Sequence, residues 1–213
     1  MKLLPLLAIC ALFFASCSND GNTGKTFCDT ACLNDTIRFN GGEPFNQTLT
    51  IGVKNCNADS VVWTHGETIN RRQIRLFEFL GQEIKINPKA VNAAFQDTSM
   101  IWLSFNDCIN GRGYLLKLPY TKGGIQKITG ALNSFDPKFS LDPDLRAYTD
   151  RGNIYVVNVK DGKQAEMTFK KEYDIDFNDI HKGIDSINIT KKSIYVKLLS
   201  NGKPDEFRKE ISL

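Results

Sequence analysis

Histidine is nearly absent: the 213 residues hold two, His65 and His181, and neither lies in a metal-binding or catalytic motif. There is no Gly-x-Ser-x-Gly elbow, no His-Glu-x-x-His helix and no phosphate-binding glycine loop, so the common hydrolase, zinc-protease and nucleotide signatures are missing. Basic runs are no longer than pairs such as Arg71-Arg72, and a formal charge of +3 spread along the chain gives no footprint for nucleic acid. Long apolar runs are lacking too. The longest, Leu3 to Ala15, is 13 residues and is interrupted by Pro5, short of the roughly 20 a membrane-spanning helix needs.

That short run lies between Lys2 and the small residues Ala15 and Ser16, the order of a secretory signal. The segment Phe14-Ala15-Ser16-Cys17 resembles the bacterial lipobox, in which small residues precede an obligatory cysteine. The resemblance implies cleavage after residue 16, lipidation of Cys17 and a cell-envelope location, with the outer membrane expected and sidedness open. Ser18 to Thr26 is small and polar, a composition too poor in apolar residues to fold, and is expected to be a flexible tether over residues 17–26. Residues 27–213 are expected to form one domain. The segment from Cys28 to Ile37 (Cys-Asp-Thr-Ala-Cys-Leu-Asn-Asp-Thr-Ile) also resembles uncharacterised envelope lipoproteins, a family that implies location and fold but no activity.

Four further cysteines follow Cys17: Cys28, Cys32, Cys56 and Cys108. An even count in an exported chain reads as two disulfides, and four cysteines permit three connectivities. Cys28 and Cys32 are each expected to reach a distant partner and pin the lead-in segment to the body. A four-cysteine zinc site is the competing reading, although only Cys28 and Cys32 have the close spacing it requires.

Strand-like segments begin at Ile74, Tyr114, Ile154 and Ile194, each 40 residues from the last, followed at similar offsets by Gly81, Gly123, Gly162 and Gly202. Asp161-Gly162 and Asn201-Gly202 are strong hairpin signals, since a type I′ turn needs two positive φ angles. Each hairpin follows two shorter strand candidates, among them Leu49 to Lys54 with Val61 to Thr64, and Phe139 to Leu141 with Arg146 to Thr149. Four strands every 40 residues are the pattern of a β-propeller, and Phe139 to Phe169 resembles one blade. The fold expected is therefore all-β, with four four-stranded propeller-like repeats and Thr36 to Phe39 pairing with Glu206 to Leu213 to close the ring. A two-sheet β-sandwich is the alternative.

Trp63 and Trp102 each close an apolar triplet, and with Tyr120 they are candidates for a ligand platform, since aromatic faces suit sugar rings; packing between sheets is the plainer explanation. Asp174, Asp176, Asn178, Asp179 and Asp185 imitate the oxygen spacing of a calcium loop, but Asp179 stands where the turn needs glycine. Strand alternation explains them as well, so calcium stays a minor expectation and no other cofactor is expected. Asp-Ser/Thr-apolar triplets at Asp29, Asp35, Asp59 and Asp185 resemble O-glycosylation acceptors of some envelope bacteria. No residue qualifies as catalytic from the sequence. The expected function is a non-catalytic envelope binding or scaffold module for a protein or glycan. The alternative is a glycan- or peptide-directed hydrolase with carboxylates around a propeller channel.

Overall fold

The computed structural model describes residues 32–66, 71–96, 98–136, 138–169, 183–200 and 202–213. They are all-β, arranged in four four-stranded sheets. In the first sheet β1 (Ile37–Gly42), β2 (Gln47–Lys54), β3 (Asn57–Thr64) and β4 (Arg72–Arg75) follow one another as an antiparallel meander. The alternation of β2 sets its orientation: Gln47, Leu49 and Ile51 are buried while Thr48 and Thr50 are half-buried on the other face. A register shift at Gly52 and Val53 breaks the period of β3, so its buried residues are Ala58, Val61 and Trp63. A β-carbon on Gly52 would lie 2.6 Å from the Ser60 hydroxyl, so a larger residue there would make that side chain rotate away.

The second sheet repeats the meander with β5 (Asn92–Gln96), β6 (Met100–Asn106), β7 (Gly113–Pro119) and β8 (Gln126–Thr129). β6 and β7 read as nearly continuous apolar runs, the mark of strands covered on both faces. Ile101, Leu103, Phe105, Tyr114, Leu116 and Leu118 pack with the first sheet around Trp63. Trp102 and Leu115 point the other way and meet Ala131, Val157 and Val159 of the third sheet.

That third sheet has the order β9 (Ala131–Leu132), β11 (Leu145–Asp150), β12 (Asn153–Asn158), β13 (Gln164–Met167). The fourth has β10 (Phe139–Leu141), β14 (Ile184–Ile189), β15 (Ser193–Ser200) and β16 (Lys203–Glu210). Leu145, Ala147, Ile154 and Val156 pack against Ile187, Ile189, Ile194 and Val196 in a largely aliphatic core.

The second and third sheets share a strand in all but name. β8 pairs with β7, then Gly130 turns the chain with φ +77°, and β9 pairs with β11. Only glycine takes that φ cheaply. The corner is tight: a β-carbon on Gly113 would stand 2.1 Å from the Ala131 carbonyl oxygen.

Expectations from the sequence are met in part. Gly162 and Gly202 lie at hairpin turns with positive φ, and β7, β12 and β15 carry the 40-residue spacing as the third strands of their sheets. The first repeat is out of phase. Ile74 belongs to a fourth strand, and Leu76–Leu80 is a short helix that buries Leu76 and Leu80 and ends on Gly81, a left-handed cap rather than a hairpin turn. Strands Phe139 to Leu141 and Arg146 to Thr149 do form, but in different sheets: β10 runs parallel to β14, with Phe139 opposite Ile187.

Ring closure by Thr36 to Phe39 on Glu206 to Leu213 does not occur. β1 pairs with β2 and β16 with β15, and no strand pair or shared apolar core joins the first sheet to the fourth among the described residues. The outer faces of both sheets are mostly polar, with Arg38, Thr50 and Gln73 around Val62 on one and Asn188, Lys197 and Glu206 beside Tyr195 and Leu199 on the other. Sheets packed face to face are the arrangement of the sandwich alternative.

Candidate functional site

Several residues singled out in the sequence lie outside the described residues: Cys17, Cys28, Asp174, Asp176, Asn178, Asp179 and His181, with the signal and tether segments. Asp185, the remaining calcium candidate, forms an ion pair with Lys197 at 3.3 Å, and no group of three metal-type ligands occurs among the described residues. Cys32 is disulfide-bonded to Cys56 with their α-carbons 4.6 Å apart, a distant partner as expected, and Cys108 is disulfide-bonded as well. These bonds leave the three cysteines no thiolate for zinc. Of the glycosylation-type triplets, Thr36 is exposed before β1, whereas Ser60 and Ser186 are half-buried in strands.

The aromatic platform is corrected by burial. Trp63 is 0% exposed, Trp102 3% and Tyr120 3%, so none presents a face to a ligand. Trp63 Nε1 donates to Pro119 O at 3.0 Å while the Arg72 guanidinium lies 5.4 Å above its ring. Trp102 Nε1 donates to Gln96 Oε1 at 3.4 Å, and Lys117 Nζ sits 4.7 Å from its centroid. Tyr120 packs on His65, ring centroids 4.7 Å apart, and Phe45 stacks on the same histidine at 5.5 Å. These rings fill the spaces between sheets.

Nor do the buried carboxylates line a channel. Asp107 is fully buried beside Cys108, taking hydrogen bonds from Gln82 Nε2 at 3.0 Å and from the Ile109 and Lys85 amides. Burial raises its pKa, against those amides and Arg112. Asp136 accepts from the Lys138 amide at 2.9 Å. Both are tied into turns.

The site that sequence reasoning missed lies where the chain changes sheets. β8 ends the second sheet as its edge strand, and past Gly130 the chain leaves that edge, opening a fork between β8 and β11. The resulting groove has a volume of about 550 Å³ and is lined by Lys117, Gln126, Ile128, Thr129, Tyr148 and Asp150. Tyr148 and Tyr155 are a direct cross-strand pair with rings stacked 5.3 Å apart and 17° from parallel. Both are half-buried. Thr149 holds the fork closed at its base, its amide donating to Gly130 O at 2.9 Å.

The groove's charges are tuned by the same geometry. Burial lowers the pKa of Lys117, whose ammonium lies over the Trp102 ring at the groove wall. Burial first, then Tyr155 and Asp150, raise the Tyr148 phenol, so it stays a neutral hydrogen-bond donor. An aromatic surface, two lysines of which Lys117 is partly desolvated, one carboxylate and amide and hydroxyl groups can bind a polar ligand with flat apolar faces. Little in the sequence marks these residues, which alternate as ordinary strand positions; Gly130 is the one local signal.

No family model, curated protein or solved structure matches this chain. Among the described residues no helix is long and apolar enough to cross a membrane.

Proposed function

We propose that this protein is a bacterial envelope lipoprotein, anchored through lipid on Cys17, that binds a glycan without catalysis in the groove between β8 and β11. The observation that carries the ligand reading is Tyr148, its ring stacked on Tyr155, lining a groove of about 550 Å³ beside Lys117, Gln126 and Asp150. Tyrosine gives a broad amphipathic contact at small entropic cost, and the polar wall supplies the directional bonds that sugar hydroxyls need. The anchor reading rests on the Phe14-Ala15-Ser16-Cys17 segment and the polar stretch after it.

A second reading has its own observation: β8 is an edge strand, so an extended envelope peptide can add to it through backbone hydrogen bonds. Titration of the full chain with neutral and acidic oligosaccharides and with an extended peptide separates the two. Tyr148→Ala is expected to weaken glycan binding by about 2 kcal/mol, roughly thirtyfold in Kd, as for an aromatic anchor. Unchanged binding in that variant would remove the groove as the site. Independently, Cys17→Ser is expected to release the protein from the membrane fraction and abolish labelling by radioactive fatty acid; a variant that stays membrane-bound sinks the anchor reading alone.

A further inference from the structure

Lys117 lies on β7 opposite Trp102 of β6 and Gln126 of β8, so its side chain leaves the second sheet on the face that the third sheet covers. It is half-buried, and its ammonium sits 4.7 Å from the centre of the Trp102 ring. Among the described residues it has no hydrogen bond or ion pair, yet its Nζ is not sealed from solvent as the unpartnered Nε of Arg146 is. Two other lysines with most of the side chain covered are given carboxylates: Lys191 meets Asp144 at 2.6 Å and Lys197 meets Asp185 at 3.3 Å. A ring face offsets part of a cation's charge but is no substitute for an oxygen acceptor, so the N–H donors of Lys117 are left for the groove.

The walls around this cation do not neutralise it. Asp150 on β11 is exposed and forms no ion pair with Lys117, whose pKa is lowered by burial with no charged neighbour opposing. Lys127 pairs opposite Leu116 and so projects to the other face of β8. Tyr148 and Asp150 alternate on one side of β11, about 7 Å apart along the strand. Neither the Tyr148 hydroxyl nor the Asp150 carboxylate has a hydrogen-bond partner among the described residues. The fork therefore offers a ring and an acceptor on one wall and an uncompensated ammonium on the other.

We infer that the glycan received here is acidic, with a sugar carboxylate meeting Lys117 Nζ while a sugar face lies on Tyr148. This rests on the glycan reading of the groove and specifies the class of sugar. An ammonium already stripped of part of its water loses less hydration on meeting an anion than an exposed lysine does, and the pair forms where screening is weaker. A neutral sugar would leave the same ammonium covered without a partner, which is the less favourable complex. Asp150 accepts hydrogen bonds from sugar hydroxyls and repels a second acid group, so the acid end of the sugar is directed toward β7 and away from β11.

The test is isothermal titration of the full chain with tetragalacturonate and with its carboxyl-reduced, neutral counterpart of the same linkage. The acidic tetrasaccharide is expected to bind about tenfold more tightly at low salt, the gain of one charge-assisted hydrogen bond. That advantage should shrink as salt is raised. Lys117→Met keeps a chain over Trp102 without the charge and is expected to bring the two affinities within about threefold of one another. Equal affinity of the parent chain for the two sugars would overturn the acid assignment and leave the glycan groove standing, whereas binding of neither would overturn both. The salt series needs no variant, and an acid preference indifferent to salt would overturn the assignment. So would a preference that survives Lys117→Met undiminished, since it would place the anion on another cation.

Discussion

The two halves of the molecule close their sheets by different means. In the first, the Cys32–Cys56 disulfide ties the segment before β1 to the β2–β3 turn, and Cys108 is disulfide-bonded in the β6–β7 loop beside buried Asp107. In the second, the turn between β10 and β11 places Asp144 between Lys160 of the β12–β13 turn and Lys191 of the β14–β15 turn. Backbone bonds from Asp142 to Ile189 O and from Val159 to Asp144 O complete that clasp. All six cysteines of the chain lie at or before position 108, so the second half has no covalent recourse. The cores share an isoleucine, leucine and valine majority and differ in their large rings: Trp63, Phe105, Tyr114 and Tyr120 are buried in the first, Phe139 alone in the second. The disulfides make the first half sensitive to reductant, and the Asp144 clasp makes the second sensitive to acid.

The largest effect expected from breaking this contrast is in the aromatic core. Trp63→Ala removes a fully buried ring and its bond to Pro119, and should cost about 4 kcal/mol in denaturant unfolding, against about 3 kcal/mol for Ile194→Ala in the aliphatic core. Equal costs would say that the two cores tolerate cavities alike. Next is reduction. The Cys32–Cys56 bond spans 24 residues, and its loss should cost about 3 kcal/mol. Hydrogen exchange with and without reductant should lose protection in β2 and β3 and keep it in β14 and β15; uniform loss would dissolve the distinction.

Smaller is the acid response of the clasp. Lys191 first, then Lys160, holds the Asp144 carboxyl below its ordinary pKa. The unfolded chain therefore binds more protons over that interval. The stabilisation is complete above about pH 4 and fades as pH falls through the depressed value. Asp144→Asn should remove that part of the acid limb and leave the pH dependence above neutrality unchanged. An acid melting curve identical to that of the parent would mean that the clasp contributes nothing measurable, as many exposed ion pairs do.

How much of this was legible in the sequence depended on whether the signal was local. The turns at Gly162 and Gly202, the alternation of β2 and the 40-residue spacing of β7, β12 and β15 rest on neighbouring residues and are realised, although Asp161 lacks the positive φ of a type I′ turn. The distant partner of Cys32 was expected because such a bond pins the segment before β1 to the body. Leu76–Leu80 was ambiguous because Ile74-Arg-Leu-Phe-Glu-Phe fits a strand period as well as the i, i+4 burial of Leu76 and Leu80. The parallel pairing of β10 with β14 joins Phe139 to Ile187 across 48 positions, and no composition rule announces it. The groove needed that same long-range knowledge, because Lys117 and Tyr148 become neighbours only when β8 leaves its sheet at Gly130.

The central claim is that this fork receives a glycan. Its most direct test is chemical-shift mapping of the full chain on addition of a soluble envelope oligosaccharide. Saturable shifts centred on Lys117, Gln126, Thr129, Tyr148 and Asp150 are predicted. Shifts centred on the polar outer faces of the first and fourth sheets, or none at any concentration, would contradict it.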